Sequence, residues 1–163
     1  MKFNIFLIYT KVNTRMLFEI RDLGVFMMDI VESGYQEIEH TADWALRVWA
    51  ADIEALFVQA AAGMNHLSEI TLDEKRVERE FEVQADDPEG LLVAFLSELL
   101  YFGEDENIGF DNYLVEIRGD KLYARTAGGQ ITGRKKEIKA VTFHNLAVRK
   151  TKRGFEVEIV FDI

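Results

Sequence analysis

Asp86-Asp87-Pro88-Glu89 and the run behind it restrict the folds open to this chain more than any other feature. An Asp able to cap, a Pro at the first helical position and an acid in the first turn mark a helix start. The run that follows carries Leu91, Leu92, Val93, Phe95, Leu96, Leu99, Leu100 and Phe102, apolar around most of a helix's circumference. Such a helix has to be enclosed on nearly every side. The pattern therefore predicts a central, largely buried helix with other elements layered around it, ending at Gly103.

The elements for those layers can be read on either side. Tyr35–Glu39 reads as a short strand, and Trp44–Ala50 alternates with the period of a half-buried one. Asp52 predicts the cap of a second helix, with Leu56, Phe57, Ala60, Ala61, Met64 and Leu67 at helical spacing. Val77–Val83 alternates again, with charges on one face. Four strands are expected after the central helix, over 112–117, 121–126, 136–148 and 155–161. Gly119-Asp120 supplies a tight turn between the first two, Lys150–Gly154 a looser one between the last two. Gly128-Gly129-Gln130 and Gly133 interrupt the connection between the middle pair. The fold class predicted is α+β, a single domain with two helices packed on a mostly antiparallel β-sheet. That domain spans 34–163. Residues 1–33 have no clean period and read as a loosely attached extension, or as an upstream translation start carried into the gene, with Met16, Met27 and Met28 as later starts.

Composition narrows the chemistry. A chain of 163 residues, 48% of them hydrophobic, is large enough to bury one real core. The absence of cysteine excludes disulfide scaffolds, zinc–thiolate sites, iron–sulfur clusters and thiol nucleophiles. A net charge of −10 fits poorly with a broad grip on nucleic acid. The charge is uneven, however. Arg134, Lys135, Lys136, Lys139, Arg149, Lys150, Lys152 and Arg153 crowd one stretch, while acids gather around 73–87 and 98–111. That polarity suits a protein partner with complementary patches at least as well as RNA, and solvated strand faces are the plainer account. No apolar run reaches membrane-spanning length, and the N-terminus lacks a small-x-small cleavage site. A cytoplasmic protein is expected.

The candidate chemistry rests on few residues. His40 and Asp43 flank Thr41-Ala42 where one strand gives way to the next, and Asp162-Ile163 closes the sequence. If these segments meet, the carboxylates and the carboxylate of Ile163 form a hard oxygen set suited to Ca²⁺, Mg²⁺ or Mn²⁺. His40 would ligate or orient Asp43; equally, Thr41 and Asp43 are common turn residues. Lys139 would share a strand face with Val141 and Phe143 and need an anionic partner such as Asp43 or Asp162, unless it snorkels past the sheet edge. His144 has plausible access but also reads as a satisfied strand residue, and His66 as a surface or capping residue. No phosphate-binding glycine loop, nucleophile elbow or H-E-x-x-H motif is present.

Three segments in this order resemble the archease family: Tyr35–Asp43 (YQEIEHTAD), Glu137–His144 (EIKAVTFH) and Val160–Ile163 (VFDI). The resemblance covers about four-fifths of the chain. It implies a non-enzymatic accessory protein that activates an RtcB-type RNA ligase, promoting guanylylation and multiple turnover of that ligase in tRNA splicing or RNA repair. It also implies a divalent cation, Ca²⁺ or in the functional complex Mn²⁺ or Mg²⁺, held by Asp43 and Asp162 with the carboxylate of Ile163 nearby. Lys139 is then needed for activation, with His40 and His144 in support, and tRNA is met only indirectly. A general chaperone for RNA-modifying enzymes is the alternative, and a small metal-dependent hydrolase using His40 a more remote one. The sequence departs from the family pattern at Trp44, at Trp49-Ala50 and at Phe143, and residues 1–33 have no counterpart in it.

Overall fold

The computed structural model describes residues 9–12, 15–20, 24–29, 33–38 and 44–163. The chain forms two compact units, Met1–Glu32 and Ser33–Ile163. The first, the segment read as an extension, carries three strands of its own: β1 (Tyr9–Val12), β2 (Arg15–Ile20) and β3 (Gly24–Asp29). They pair antiparallel as a meander, with Met16 opposite Met28 and Phe18 opposite Phe26.

The second unit has the expected α+β character, its strands divided between two antiparallel sheets. One holds β4 (Gly34–Ile38), β5 (Trp44–Ala50) and β12 (Gly154–Asp162), with the short β10 (Ala140–Val141) and β11 (Arg149–Thr151) both on the far side of β12. The other is built on β9 (Lys121–Gly133), which pairs with β6 (Thr71–Leu72), β7 (Val77–Gln84) and β8 (Ile108–Arg118). Helix α1 (Ile53–Ser68) packs on β5 and β8, and α2 (Pro88–Asp105) on β7, β8 and β10. Both helices thus serve both sheets.

Both helix starts obey local rules. The Asp52 carboxylate accepts from Ala55 N at 2.8 Å, and that of Asp87 from Gly90 N at 2.7 Å. Between the sheets, Phe57, Phe81, Phe95, Phe102 and Phe110 form a chain of rings 5.6–6.0 Å apart. Tyr113 is half-buried, its hydroxyl hydrogen-bonded to Asn65 and to the Phe110 carbonyl, and desolvation pushes its phenol above the ordinary value.

Four expectations need correction. Helix α2 does not stop at Gly103: it runs to Asp105, and Asn107 at φ 56 then turns the chain, since Asn tolerates the left-handed region. Gly128-Gly129 does not break a connection but lies inside β9. A Cβ on Gly128 would stand 1.8 Å from the Gly109 carbonyl oxygen, because β8 bulges at Asp111 and crosses closely there. The segment 136–148 is not one strand. Only Ala140–Val141 pairs in it, and Asn145 at φ 53 closes a turn in which Leu146 N donates to Phe143 O at 3.2 Å. Finally, the turn within 150–154 is tight: Thr151 pairs directly with Gly154, whose φ of 123 suits only glycine.

Candidate functional site

Strand β12 is the best-anchored strand of its sheet, flanked by β5 on one side and β10 and β11 on the other. Phe161, fully buried, sits opposite both Trp44 of β5 and Val141 of β10. Asp162 follows, exposed, opposite Ala140. A side chain beyond so deep an anchor is held in place while still reaching solvent.

The segment around β10 stitches this end down. Thr142 donates to the Val160 carbonyl through both its N–H and its hydroxyl, at 3.0 Å each. Lys139 N donates to Asp162 O at 2.9 Å, and Lys139 Nζ donates to the backbone oxygen of Ile163, also at 2.9 Å. Lys139, Asp162 and Ile163 are therefore brought together. The face expected for Lys139 is corrected: Val141 is buried and Phe143 is 63% exposed, so the three do not share one face. The strand alternation slips at Lys139-Ala140, where both residues are exposed. Among the described residues the ammonium's partner is the Ile163 oxygen and not the Asp162 side chain.

His144 is exposed in the turn after β10. Its ring nitrogen lies 3.1 Å from Asn145 Nδ2, and its N–H donates to Thr142 Oγ1 at 3.3 Å. His66 is exposed near the end of α1, where its carbonyl accepts from Glu69 N. His40 and Asp43 lie outside the described residues. Among the described residues, no three His, Asp or Glu side chains gather as a ready cation cage. Asp162 and the Ile163 oxygen provide hard oxygen donors at one strand end, with the Lys139 ammonium beside them. That chemistry suits a divalent cation completed by further oxygen ligands, or an anionic group on a partner.

Sequence reasoning missed a neighbour of this site. Lys136 Nζ lies 4.4 Å from the centre of the Trp44 ring, a cation–π contact. The loop carrying it is docked on the end of α1: Lys135 N and Lys136 N both donate to Ser68 O, at 3.3 and 3.2 Å, and Lys135 Nζ pairs with Glu69 at 2.7 Å. The Lys135 hydrogen bond holds the Glu69 carboxyl below its usual range. The available signals were an oversized residue at Trp44 and a basic run at 134–136, with nothing linking them.

Comparison with known proteins agrees with this architecture. Residues 35–163 match the model of the archease protein family. The protein archease of Thermococcus kodakarensis is 33% identical over 132 residues, spanning 74% of this chain and 91% of that protein. That of Pyrococcus abyssi is 32% identical over 139 residues, spanning 79% and 98%. The fold is also that of the crystal structure of an archease from Thermotoga maritima, described as a possible chaperone, with a TM-score of 0.61 at 22% identity over 78% of this chain and 96% of that one. A solution structure from Methanobacterium thermoautotrophicum gives 0.60 at 24% identity, over 80% and 99%.

Proposed function

This chain belongs to the archease family, and from that premise we propose that it is a non-enzymatic, metal-binding activator of an RtcB-type RNA ligase. It would promote guanylylation and repeated turnover of that ligase in tRNA splicing or RNA repair. One observation carries the reading: Lys139, Asp162 and the Ile163 oxygen are gathered at the end of β12 that faces the start of β5. Asp43 precedes Trp44 directly, and covalent geometry keeps its Cα within about 3.8 Å of that residue's. Trp44 in turn sits opposite Phe161, the residue before Asp162. Each acid is thus one residue along the chain from a member of the facing pair Trp44 and Phe161.

The donor set fits a divalent cation of the hard, oxygen-seeking kind, Ca²⁺, Mn²⁺ or Mg²⁺. Asp43 and Asp162 would hold it, with the carboxylate of Ile163 alongside. Bound there, such an ion supplies charge neutralisation to phosphate groups in a partner's nucleotide pocket. Lys139, tethered to the Ile163 oxygen, keeps the strand end in register and contributes a further positive charge towards phosphate. His40 and His144 are supporting residues in this scheme, His144 through the turn it shares with Thr142.

Guanylylation of purified ligase, measured with Asp43→Ala, Lys139→Ala and Asp162→Ala proteins, tests the assignment. Each is expected to lower the rate at least tenfold while leaving the melting temperature of the apo protein nearly unchanged. Normal rates for all three would remove it. A chaperone role is the second reading, favoured by exposed Phe143 and Leu114 on an acidic molecule and by the similarity to the Thermotoga maritima archease, a possible chaperone. A passive chaperone tolerates loss of Asp43 and Asp162, so the same variants separate the two.

A further inference from the structure

Strand β12 starts in a hairpin with β11 and ends at Asp162, nine residues in all. At a rise of about 3.3 Å per residue, its two ends lie about 26 Å apart. Lys152 and Arg153 form the hairpin's turn, closed by the Thr151–Gly154 pair. Arg153 N donates to Thr151 Oγ1 at 3.1 Å, and the Thr151 hydroxyl donates to Gly154 O at 3.3 Å. Beside the turn, Lys150 Nζ lies 6.0 Å from the centre of the ring of Phe155, its cross-strand partner. Lys150, Lys152 and Arg153 are all exposed.

The second sheet shows how this protein treats cations elsewhere: Arg118, Lys121 and Arg125 are paired with Glu116, Glu82 and Glu80. The hairpin is different. Among the described residues Lys150, Lys152 and Arg153 enter no ion pair, and residues 145–155 contain no acid. Carboxylates at its base are engaged already, Glu156 with Arg47 and Glu89 with the Val148 N–H. Arg149, opposite Glu156, borders an open cavity with Glu37 and Glu158 and is not counted with the three. Like charges gathered at one turn repel, yet a chain with 29 acids leaves these three unneutralised.

We propose that this hairpin tip binds the phosphate backbone of a nucleic-acid strand, at a site separate from the Lys139–Asp162 end. No large apolar side chain is exposed between 145 and 156, so the tip lacks the anchor on which protein interfaces depend. Two ammonium groups and a guanidinium fork suit phosphate oxygens instead. The net charge of −10 does not oppose so local a contact, because at physiological salt charges beyond about 8 Å are screened. Such a contact reads no base and draws its affinity from counterion release. RNA is then met directly, where the family resemblance implies only an indirect encounter. The site stands whether or not a cation is held at the other end of β12.

Fluorescence anisotropy of the full chain with labelled oligouridine, and in parallel oligothymidine, tests it. Both should bind at low salt, with log K falling against log salt at a slope of about −2, as for three phosphate contacts to a single strand. Lys152→Gln and Arg153→Gln should each weaken binding about threefold and flatten the slope by about 0.7. Arg118→Gln removes the same charge from another exposed position and should change neither. An equal loss in Arg118→Gln makes the effect one of net charge and overturns the site, as does a wild type that binds neither strand. Oligouridine bound more than tenfold tighter than oligothymidine overturns recognition through phosphate alone. Displacement by polyglutamate at equal charge assigns the tip to an acidic protein and overturns the proposal too. Ligase guanylylation without RNA should be normal in the Lys152→Gln/Arg153→Gln protein, which separates this site from the activator reading. A loss there gives the hairpin to the protein partner and overturns the proposal.

Discussion

Gly128 has no side chain because none fits between β9 and the bulge of β8. The blocking atom is a backbone oxygen, which cannot move aside as a flexible side chain would. Gly128→Ala is therefore expected to destabilise the protein by about 3 kcal/mol or more, read from urea melts. The residue after that crossing point, Asp111, forms a two-armed pair with Arg76, one arm at 2.9 Å. This pairing holds the Asp111 carboxyl below its ordinary value. A depressed folded-state value means that folding favours the ionised form. The contribution is fully present above about pH 4, where the unfolded group ionises, and is lost as pH falls through the folded value. Both side chains are half exposed, so the share is small. In urea melts from pH 7 to pH 2, the stability gap between wild type and Asp111→Asn should narrow at the acid end; a constant gap would refute the pairing's role. At this scale the sequence was least legible. A glycine pair looks the same whether it makes a turn or admits a crossing strand, and a contact between Lys136 and Trp44 has no local signature.

Helices were readable because their signals are local. Asp52 and the Asp87-Pro88 pair mark starts within one turn of the residues they cap, and Asp87→Ala should cost about 1 kcal/mol in thermal or urea unfolding. An unaffected midpoint would show that the cap is dispensable. Strand limits were harder, since pairing depends on a distant partner. The stretch 136–148 alternates convincingly in sequence, yet Lys135 and Lys136 dock on α1 and Asn145 turns the chain, leaving two residues to pair. The same departure from regular strand puts Lys139 beside the Ile163 oxygen. The candidate residues Lys139, Asp162 and Ile163 were named through family resemblance more than through pattern, because alternation alone assigned Lys139 a different face.

Across the whole molecule, a cation held by both acids would tie β5 to β12 and so resist unfolding of the sheet they share. Ca²⁺ at about a hundredfold over its dissociation constant should raise stability by about 2.7 kcal/mol, visible as a higher melting temperature. Chelation should reverse the rise, and Asp162→Ala should abolish it; an equal rise in that variant would place the ion elsewhere. Net charge of −10 also makes association with a cationic partner surface faster at low salt.

The pairing of β5 with β12 joins strands that lie far apart along the chain, with both helices and all of the second sheet between them. Contacts of such long separation close late in folding. Partly folded forms that still lack this closure would therefore be blind to the ion, and luminescence from a bound lanthanide should appear only in the slowest refolding phase. The protein would thus carry its own certificate of completion, offered to a partner only after the last strand is home.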